Sequence, residues 1–450
     1  MPSKGVHVYA FISVPDCRVV FSVPGETVEA NEPSAFFTSL MQVDKAKLGG
    51  VFKTSGRFSF QVFHGDNQIT EQWVEINAMT GHMGEGTMKN MSETPSIVQD
   101  DLIITYGFYD AGSGTESGLT SMDQCYVTVT PNYSRWQEEL VPSDSGDNDK
   151  PFNRFVLPAV HDVGMNTMQN ALALLAHSGD ALIKMVMEHF KLSGQVHFGL
   201  GDDAIAKIAP AIIVSLSITQ KDTLASMLAI GARYFEFRPS YCIDKLQPGM
   251  PIPDTMYFQH ACIPGMSFEE FLNEVAAFLG DHQNEIVVTQ LRYDGILAGC
   301  RRPTDEELDD TITRALDGKG LTRGTVDDMQ NMSIGELRSS GKRFIIFNPV
   351  SSFSTYTDEA NATTNGDTII EQFEQMSADK QNGQSFTNIQ CQATATNIRN
   401  AVIYSAISAN ASNSCLMSTK AICDAKTLPW IKDHALEKLT EEQLIVCMVC

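Results

Sequence analysis

Basic residues are in short supply. Lysine and arginine number 32 against 55 aspartates and glutamates, a formal net charge of −23. Phosphate backbones are held by clustered Lys and Arg, so this balance argues against a nucleic-acid partner. It also opposes standing attachment to an anionic membrane unless a local patch overrides the global field. Long hydrophobic runs are missing too. The longest, IAKIAPAIIVSLSI (Ile205 to Ile218), contains a lysine and a proline and is too short to span a bilayer. The opening MPSKGVHVYAFISV has no apolar core behind a basic head, so no signal peptide is expected and a soluble, cytoplasmic protein is. The 10 cysteines are scattered without paired metal spacing. CMVC, Cys447 to Cys450, has redox spacing but sits in an apolar run, which reads as buried thiols. A Gly-rich phosphate cradle and a Gly-x-Ser-x-Gly elbow are both absent.

What is present divides the chain in two. At 450 residues the length suits two or three domains, or one barrel with an addition. Residues 6–131 read as all-β. VHVYAFISV, CRVVFSV, GRFSFQVF, EQWVEINAM, LIITYGFYD and CYVTVTP are strand-like, separated by breaks such as HGDNQ and DAGSGTESG. Alternation puts Phe58, Phe60 and Val62 on one face and Arg57, Ser59 and Gln61 on the other. Six or more such strands predict a β-sandwich over residues 1–139, an accessory or binding domain. The polar, acidic stretch LVPSDSGDNDKP reads as a linker, residues 140–151.

Over residues 152–450 the grammar changes. RFVLPAVH, ARYFEFRPS, TMYFQHA, EIVVTQLRYD, KRFIIFN, TNIQCQATA and QLIVCMVC are strand-like, with helical segments between most of them. In SFEEFLNEVAAFLGDH, Ser267 is the expected N-cap and Glu270 completes a capping box, while Phe268, Phe271, Leu272, Val275 and Phe278 form the apolar stripe. Short apolar strands alternating with helices predict an α/β fold with a parallel sheet covered on both faces. Seven or eight such strands favour a (β/α)8 TIM-type barrel.

In such barrels chemistry sits where strands end. The first strand delivers His161 and Asp162. The second, YFEFRPSY, delivers Glu236 and Arg238. MYFQHAC delivers His260, and VVTQLRYDG delivers Arg292, Tyr293 and Asp294. A single such histidine would pass as a satisfied polar group; successive strand ends with complementary chemistry do not. His64, His82, His177 and His434 have no such company and are read as structural or solvated. Two facing imidazoles can carry a proton from an incoming hydroxyl to a leaving alkoxide, one neutral and one cationic near neutral pH. An arginine between them can neutralise a phosphoryl oxygen. Together these suit phosphodiester cleavage by general acid–base catalysis.

LPAVHDVGM, GARYFEFRPS, FQHA followed by SFEEFLNEVAAFLGDHQNEIVV, and IGELRSSGKRFIIF together resemble the phosphatidylinositol-specific phospholipase C-like phosphodiesterases of the metal-independent, bacterial and fungal type. The resemblance runs from roughly Phe155 to Cys450. It implies that His161 is the general base that deprotonates the inositol 2-hydroxyl, and that His260 is the general acid that protonates the leaving oxygen. It implies that Asp162 partners that acid, and that Arg238 is the guanidinium standing where calcium-dependent relatives bind their ion. Glu236, Arg292, Tyr293 and Asp294 are then expected to bind substrate. The implied substrate is a phospholipid or inositol-containing phosphodiester, cleaved through a cyclic phosphate without a cofactor, and it leaves room for a transient membrane contact. The family's supporting Asp on the last barrel strand would follow just where the sequence reaches Cys450, so a form trimmed from a longer protein is expected. The alternative is a lipid- or sugar-binding, toxin-like protein with a degenerate barrel.

Two further expectations follow. Calcium takes six or more oxygen ligands, whereas Glu236, Asp162 and Asp294 come from separate strand ends and a bound ion would sit beside Arg238. The guanidinium itself offers a permanently charged donor fork, so catalysis is expected to need no metal. The apolar insertion Ala176 to Leu216 is expected to form a helical flap near the pocket, or extra packing against the sandwich.

Overall fold

The computed structural model describes residues 5–50, 52–88, 94–110, 122–178, 180–189, 213–214, 217–246, 249–394, 419–440 and 442–449. Ten strands come first: β1 (Gly5–Ile12), β2 (Cys17–Val23), β3 (Glu26–Ala30), β4 (Phe36–Gln42), β5 (Ser55–His64), β6 (Asn67–Asn77), β7 (Met83–Gly86), β8 (Ile97–Val98), β9 (Leu102–Tyr109) and β10 (Asp123–Pro131). They form two five-stranded sheets, ordered β4-β1-β10-β9-β8 and β3-β2-β5-β6-β7. Alternation explains the pairing. Phe58, Phe60 and Val62 are buried on one face of β5, while Arg57 is exposed on the other. Val8, Ile104 and Val127 of the first sheet meet Phe21, Phe60 and Ile76 of the second in one apolar cluster.

These sheets do not stand alone. On the other side of the first sheet, Tyr109 and Tyr126 are buried in the apolar cluster of the α/β part that follows. Lys221 of that part donates to the Thr94 carbonyl (2.9 Å) and to Ser96 Oγ (3.2 Å), and its neighbour Asp222 accepts from the Ser96 N–H at 2.7 Å. Helix α1 (Trp136–Leu140) leads into the acidic stretch, which is tied down by Arg338. Its guanidinium donates to the Val141 carbonyl (2.7 Å) and to Asn148 Oδ1 (2.8 Å).

The remaining elements, in order, are β11 (Val156–Val160), α2 (Gln169–Ser178), α3 (Asp180–His189), α4 (Leu224–Ile230), β12 (Tyr234–Phe237), β13 (Pro239–Ser240), β14 (Tyr257–His260), β15 (Ile263–Ser267) and α5 (Phe268–Asp281). Then come β16 (Val287–Leu291), α6 (Asp305–Leu316), β17 (Arg323–Gly324), β18 (Phe344–Phe347), β19 (Phe353–Ser354), β20 (Phe386–Gln390), α7 (Lys420–His434) and β21 (Leu444–Val449), with shorter helices between them. Eight strands lie side by side as β17-β18-β16-β12-β11-β21-β20-β19, every neighbouring pair parallel. The first strand of this part pairs with the last, Val160 against Val449. The edge strands β17 and β19 are not joined to each other among the described residues. The result is a mixed α/β fold with a curled parallel half-barrel, compatible with a TIM-like barrel. Among the described residues, no helix is long and apolar enough to cross a membrane.

Helix α5 forms as its pattern requires, with one difference. Ser267 Oγ accepts from the Glu270 N–H at 3.2 Å, and Phe268, Phe271, Leu272 and Val275 are buried. The box is one-sided, because Ser267 also ends β15 and pairs with Tyr257. The larger correction concerns the run carrying His260. It is not a strand of the parallel sheet: β13, β14 and β15 make a separate three-stranded antiparallel sheet. Only Ala261 and Cys262 separate β14 from β15, and Ala261 turns at φ 59°. A two-residue turn can make a hairpin, whereas a parallel neighbour needs a crossover of a dozen or so residues. Of the insertion, α3 is helical, and its Leu182, Ile183 and Val186 are buried in the apolar cluster that also takes in Tyr109 and Tyr126 of the first sheet. Residues 190–212 of the proposed flap lie outside the described residues.

Candidate active site

The end of β11 continues its ladder one residue further, with the His161 N–H donating to the Val449 carbonyl at 3.1 Å. The chain then turns. Asp162 adopts φ 50°, a left-handed conformation that short polar residues tolerate better than most, and its carbonyl accepts from the Met165 N–H at 2.9 Å. Two glycines let this turn lie against the β14–β15 hairpin. A methyl on Gly164 would stand 2.3 Å from Cβ of Phe258, and one on Gly265 would stand 2.1 Å from the Gly164 carbonyl oxygen. The Met266 N–H seals the contact by donating to that carbonyl at 2.8 Å. This docking brings His260 beside Asp162 although the two belong to different sheets.

The Asp162 carboxylate is the hub. It is 1 % exposed. Arg238 Nη2 lies 3.2 Å from Oδ1, while His161 Nδ1 and His260 Nε2 lie 3.5 Å and 3.8 Å from Oδ2. Both imidazoles therefore share one carboxylate oxygen. Neither oxygen receives a well-aligned hydrogen bond among the described residues. Burial alone would push the carboxyl up, but Arg238, His161 and His260 outweigh it and hold it down at about 2.

Arg238 stands where the chain leaves β12 for β13, between two sheets. Its Nε and Nη2 both lie 2.7 Å from Glu236 Oε1. Nη2 also stands 3.5 Å from His161 Nε2. A guanidinium can only donate, so this contact favours the tautomer in which His161 carries its proton on Nδ1, toward Asp162, and keeps a lone pair on Nε2. Burial opposes the charge on Arg238, but Asp162, Glu236 and Asp294 overcome it and raise its pKa. Glu236 in turn accepts from Arg292 Nη1 at 3.2 Å, and Arg292 grips Asp294 with Nε and Nη2 at 2.8 Å and 2.6 Å. The rim thus carries five charges of alternating sign: Asp162, Arg238, Glu236, Arg292 and Asp294.

Tyr293 falls outside this network. It lies under the Arg302 guanidinium, 4.5 Å from ring centroid to carbon. Among the described residues, the group that could hold a metal ion is His161, Asp162 and Glu236, with ligand atoms within 4.8 Å of one another. Arg238 Nη2 contacts all three, at 3.5, 3.2 and 2.7 Å.

Sequence reasoning missed the residues that hold the turn from behind. Gln220 Nε2 donates to the His161 carbonyl at 2.7 Å, and Thr219 Oγ1 donates to the Asp162 carbonyl at 3.3 Å. It also missed the amides of TNIQCQATA. Asn388, Gln390 and Gln392 are buried at the end of β20, on the same rim, since Gln390 pairs with Met448 of β21. Their spacing of two in an otherwise apolar run was the available signal.

No family model matches the chain, and no curated protein matches it. Among solved structures, it is similar to phosphatidylinositol-specific phospholipase C from Staphylococcus aureus. A form carrying pentafluoro-phenylalanine aligns over 71 % of this chain and 91 % of that one, with a TM-score of 0.41 at 12 % identity. A second structure, concerned with that enzyme's membrane binding, aligns over 71 % and 91 % with a TM-score of 0.40 at 14 % identity.

Proposed function

We propose that the protein is a phosphodiesterase that cleaves a phospholipid or related phosphodiester by His/His general acid–base catalysis. The observation that carries this reading is the buried Asp162 carboxylate, with His161, His260 and Arg238 all within 3.8 Å. In the proposed step a hydroxyl of the substrate attacks the neighbouring phosphorus, and His161 Nε2 takes its proton. The bond from phosphorus to the leaving oxygen breaks with its electron pair, and cationic His260 protonates that oxygen. The products are a cyclic phosphate and an alcohol; water opens the ring with the two roles exchanged. Asp162 Oδ2 stands 3.5 Å and 3.8 Å from the two rings, a negative charge beside whichever imidazole holds the proton in each step. Arg238 Nη1, which makes no hydrogen bond among the described residues, supplies the donor for a non-bridging oxygen.

The same reading makes catalysis independent of a metal. The Arg238 guanidinium contacts each of the three groups that could hold an ion, and a second cation there would be repelled by it. It also takes residues 152–450 as a TIM-type barrel of the phosphatidylinositol-specific phospholipase C-like kind, with a β-sandwich accessory domain over residues 1–139.

Phosphorus NMR of phosphatidylinositol and of a soluble inositol phosphodiester, with and without EDTA, tests the proposal. A cyclic phosphate should form in the presence of EDTA, and His161→Ala and His260→Ala should fold normally but lose about 10²–10⁴ in turnover. Saturable lipid or sugar binding with no turnover of any diester would favour a non-catalytic binding barrel. Arrest by EDTA that calcium reverses would overturn the metal-free mechanism.

A further inference from the structure

A net charge of −23 opposes contact with an anionic surface except where a local patch reverses it. One end of the two antiparallel sheets carries such a patch. Three connections meet there: the β2–β3 turn, the stretch between β4 and β5, and the β6–β7 turn. The first two are packed closely, since a methyl on Gly56 would stand 2.7 Å from the side chains of both Leu48 and Pro24. The third is tied in by the Ala78 N–H, which donates to the Thr54 carbonyl at 2.8 Å. In that turn Asn77 Oδ1 accepts from the N–H groups of Met79 and Thr80, at 2.9 Å and 3.0 Å. Between β4 and β5, Asp44 Oδ1 accepts from the Ala46 N–H at 2.9 Å, and Leu48 is buried. These bonds and contacts decide which side chains are left to face outward.

Two of them are apolar. Phe52 is 95 % exposed, and Met79 on the adjoining turn is 52 % exposed. A phenyl ring held wholly in water leaves its burial free energy unused. The others are cations. Lys45, Lys47 and Lys53 fall within nine residues and are all exposed. Lys47 is paired with Glu26 at 3.4 Å, whereas Lys45 and Lys53 have no ion pair among the described residues. A protein partner suits this surface poorly. Stable protein interfaces bury about 800 Å² on each side, around a centre depleted of charge. Here two separate apolar side chains stand with lysines close by in sequence. A lipid surface asks for that combination, because aromatic and aliphatic groups enter the head-group layer while lysines meet anionic head groups. The negative charge of the rest of the molecule is repelled by the same surface, which leaves this end as the point of contact.

We propose that this end of the two sheets docks on an anionic lipid surface, with Phe52 and Met79 entering the head-group layer and Lys45, Lys47 and Lys53 meeting its charge. The inference stands apart from the proposed chemistry: a chain that cleaves no diester would dock in the same way.

Sedimentation of the whole protein with vesicles of phosphatidylcholine, alone or with phosphatidylglycerol, tests it without any turnover. The mixed vesicles should carry the protein down, and the neutral ones should bind at least tenfold more weakly. Phe52→Ser changes a side chain that packs on nothing, so it should fold as the native chain does, and it should weaken binding by about tenfold. Lys45→Glu with Lys53→Glu should weaken it at least tenfold. Leu436→Ser, at an exposed apolar position of the α/β part, should leave binding unchanged. Circular dichroism checks that each variant is folded. The proposal is overturned if the mixed vesicles do not sediment the native protein, if neutral vesicles bind it equally well, or if Phe52→Ser binds as tightly as the native chain. An equal loss in Leu436→Ser overturns it too, since any exposed apolar group would then serve. Self-association that Phe52→Ser abolishes, without vesicle binding, would make this end a protein interface instead and overturn the lipid assignment.

Discussion

Strand β12 has an arginine at each end, Arg233 before it and Arg238 after it, and each lies 2.7 Å from a glutamate. Arg233 is 0 % exposed, and all five of its donors are used. Nε donates to Glu285 Oε2, Nη1 to the carbonyls of Leu228 and Ala232, and Nη2 to those of Tyr133 and Ser134. Glu285 is closed as well, its other oxygen accepting from the Glu138 N–H at 2.9 Å. Arg238 is 10 % exposed at its side chain, shares Nη2 among Glu236, Asp162 and His161, and leaves Nη1 without a bond among the described residues. The same residue type therefore does two jobs on one strand. At one end a saturated guanidinium pins the chain around residues 133 and 134 onto the sheet. At the other an unsaturated one keeps donor capacity for something that arrives. Burial and exposure barely distinguish the two; the count of used donors does.

The comparison breaks or holds on two substitutions. Arg233→Met strands the Glu285 charge and four carbonyls in the core, and should cost about 3–5 kcal/mol of stability while leaving turnover per folded molecule unchanged. Urea unfolding followed by circular dichroism, with activity normalised to folded protein, measures both. Arg238→Lys should show the reverse pattern. It keeps a cation beside Asp162 and Glu236 but loses the fork, so melting should shift by only a few degrees while turnover falls about 10²–10³. A large loss of stability in Arg238→Lys with full turnover would erase the distinction between the two ends.

Much of this was legible from the residues alone, for a physical reason. Alternation in GRFSFQVF and the apolar runs ending in His161, Glu236 and Arg292 are local signals, and local signals survive without a structure. The sheet membership of His260 is not local. It depends on Ala261 adopting φ 59° and on Gly164 and Gly265 allowing two backbones to touch, neither of which is visible as a pattern. Tyr293 is adjacent in sequence to two network residues, yet its ring lies under Arg302, a contact across nine residues that no local pattern announces. The five donors of Arg233 went unread because four of their acceptors are backbone carbonyls, which every sequence has.

Acid should separate the two ends of β12 further. Asp162 is held at about 2 against an ordinary 3.8, so its ionised form is favoured by folding. The stability it contributes is present above pH about 4 and is lost as pH falls toward about 2. Glu285 has the opposite sign, since burial raises its carboxyl and Arg233 only partly offsets that. Urea midpoints measured between pH 5 and about 2 should fall less steeply for Asp162→Asn than for the native chain. An identical slope in the two proteins would mean that Asp162 titrates normally and is no hub.

The smallest expected effect tests whether the His161 end is held from outside its own strand. Gln220 precedes α4 and reaches back to donate to the His161 carbonyl at 2.7 Å, while the His161 N–H is fixed separately on Val449. Gln220→Met keeps the length of the side chain and removes the donor. The Val449 bond should preserve the fold, so stability should change by no more than about 1 kcal/mol, the net worth of one hydrogen bond. The imidazole, however, would sit on a peptide free to rotate, and general-base catalysis depends on placing Nε2 against the attacking hydroxyl. Turnover should therefore fall several-fold, up to about tenfold, with KM unchanged, because the carbonyl of His161 faces Gln220 and not the substrate. A purely structural role would instead lower the melting temperature without altering kcat per folded molecule, and that outcome would remove Gln220 from the positioning of His161.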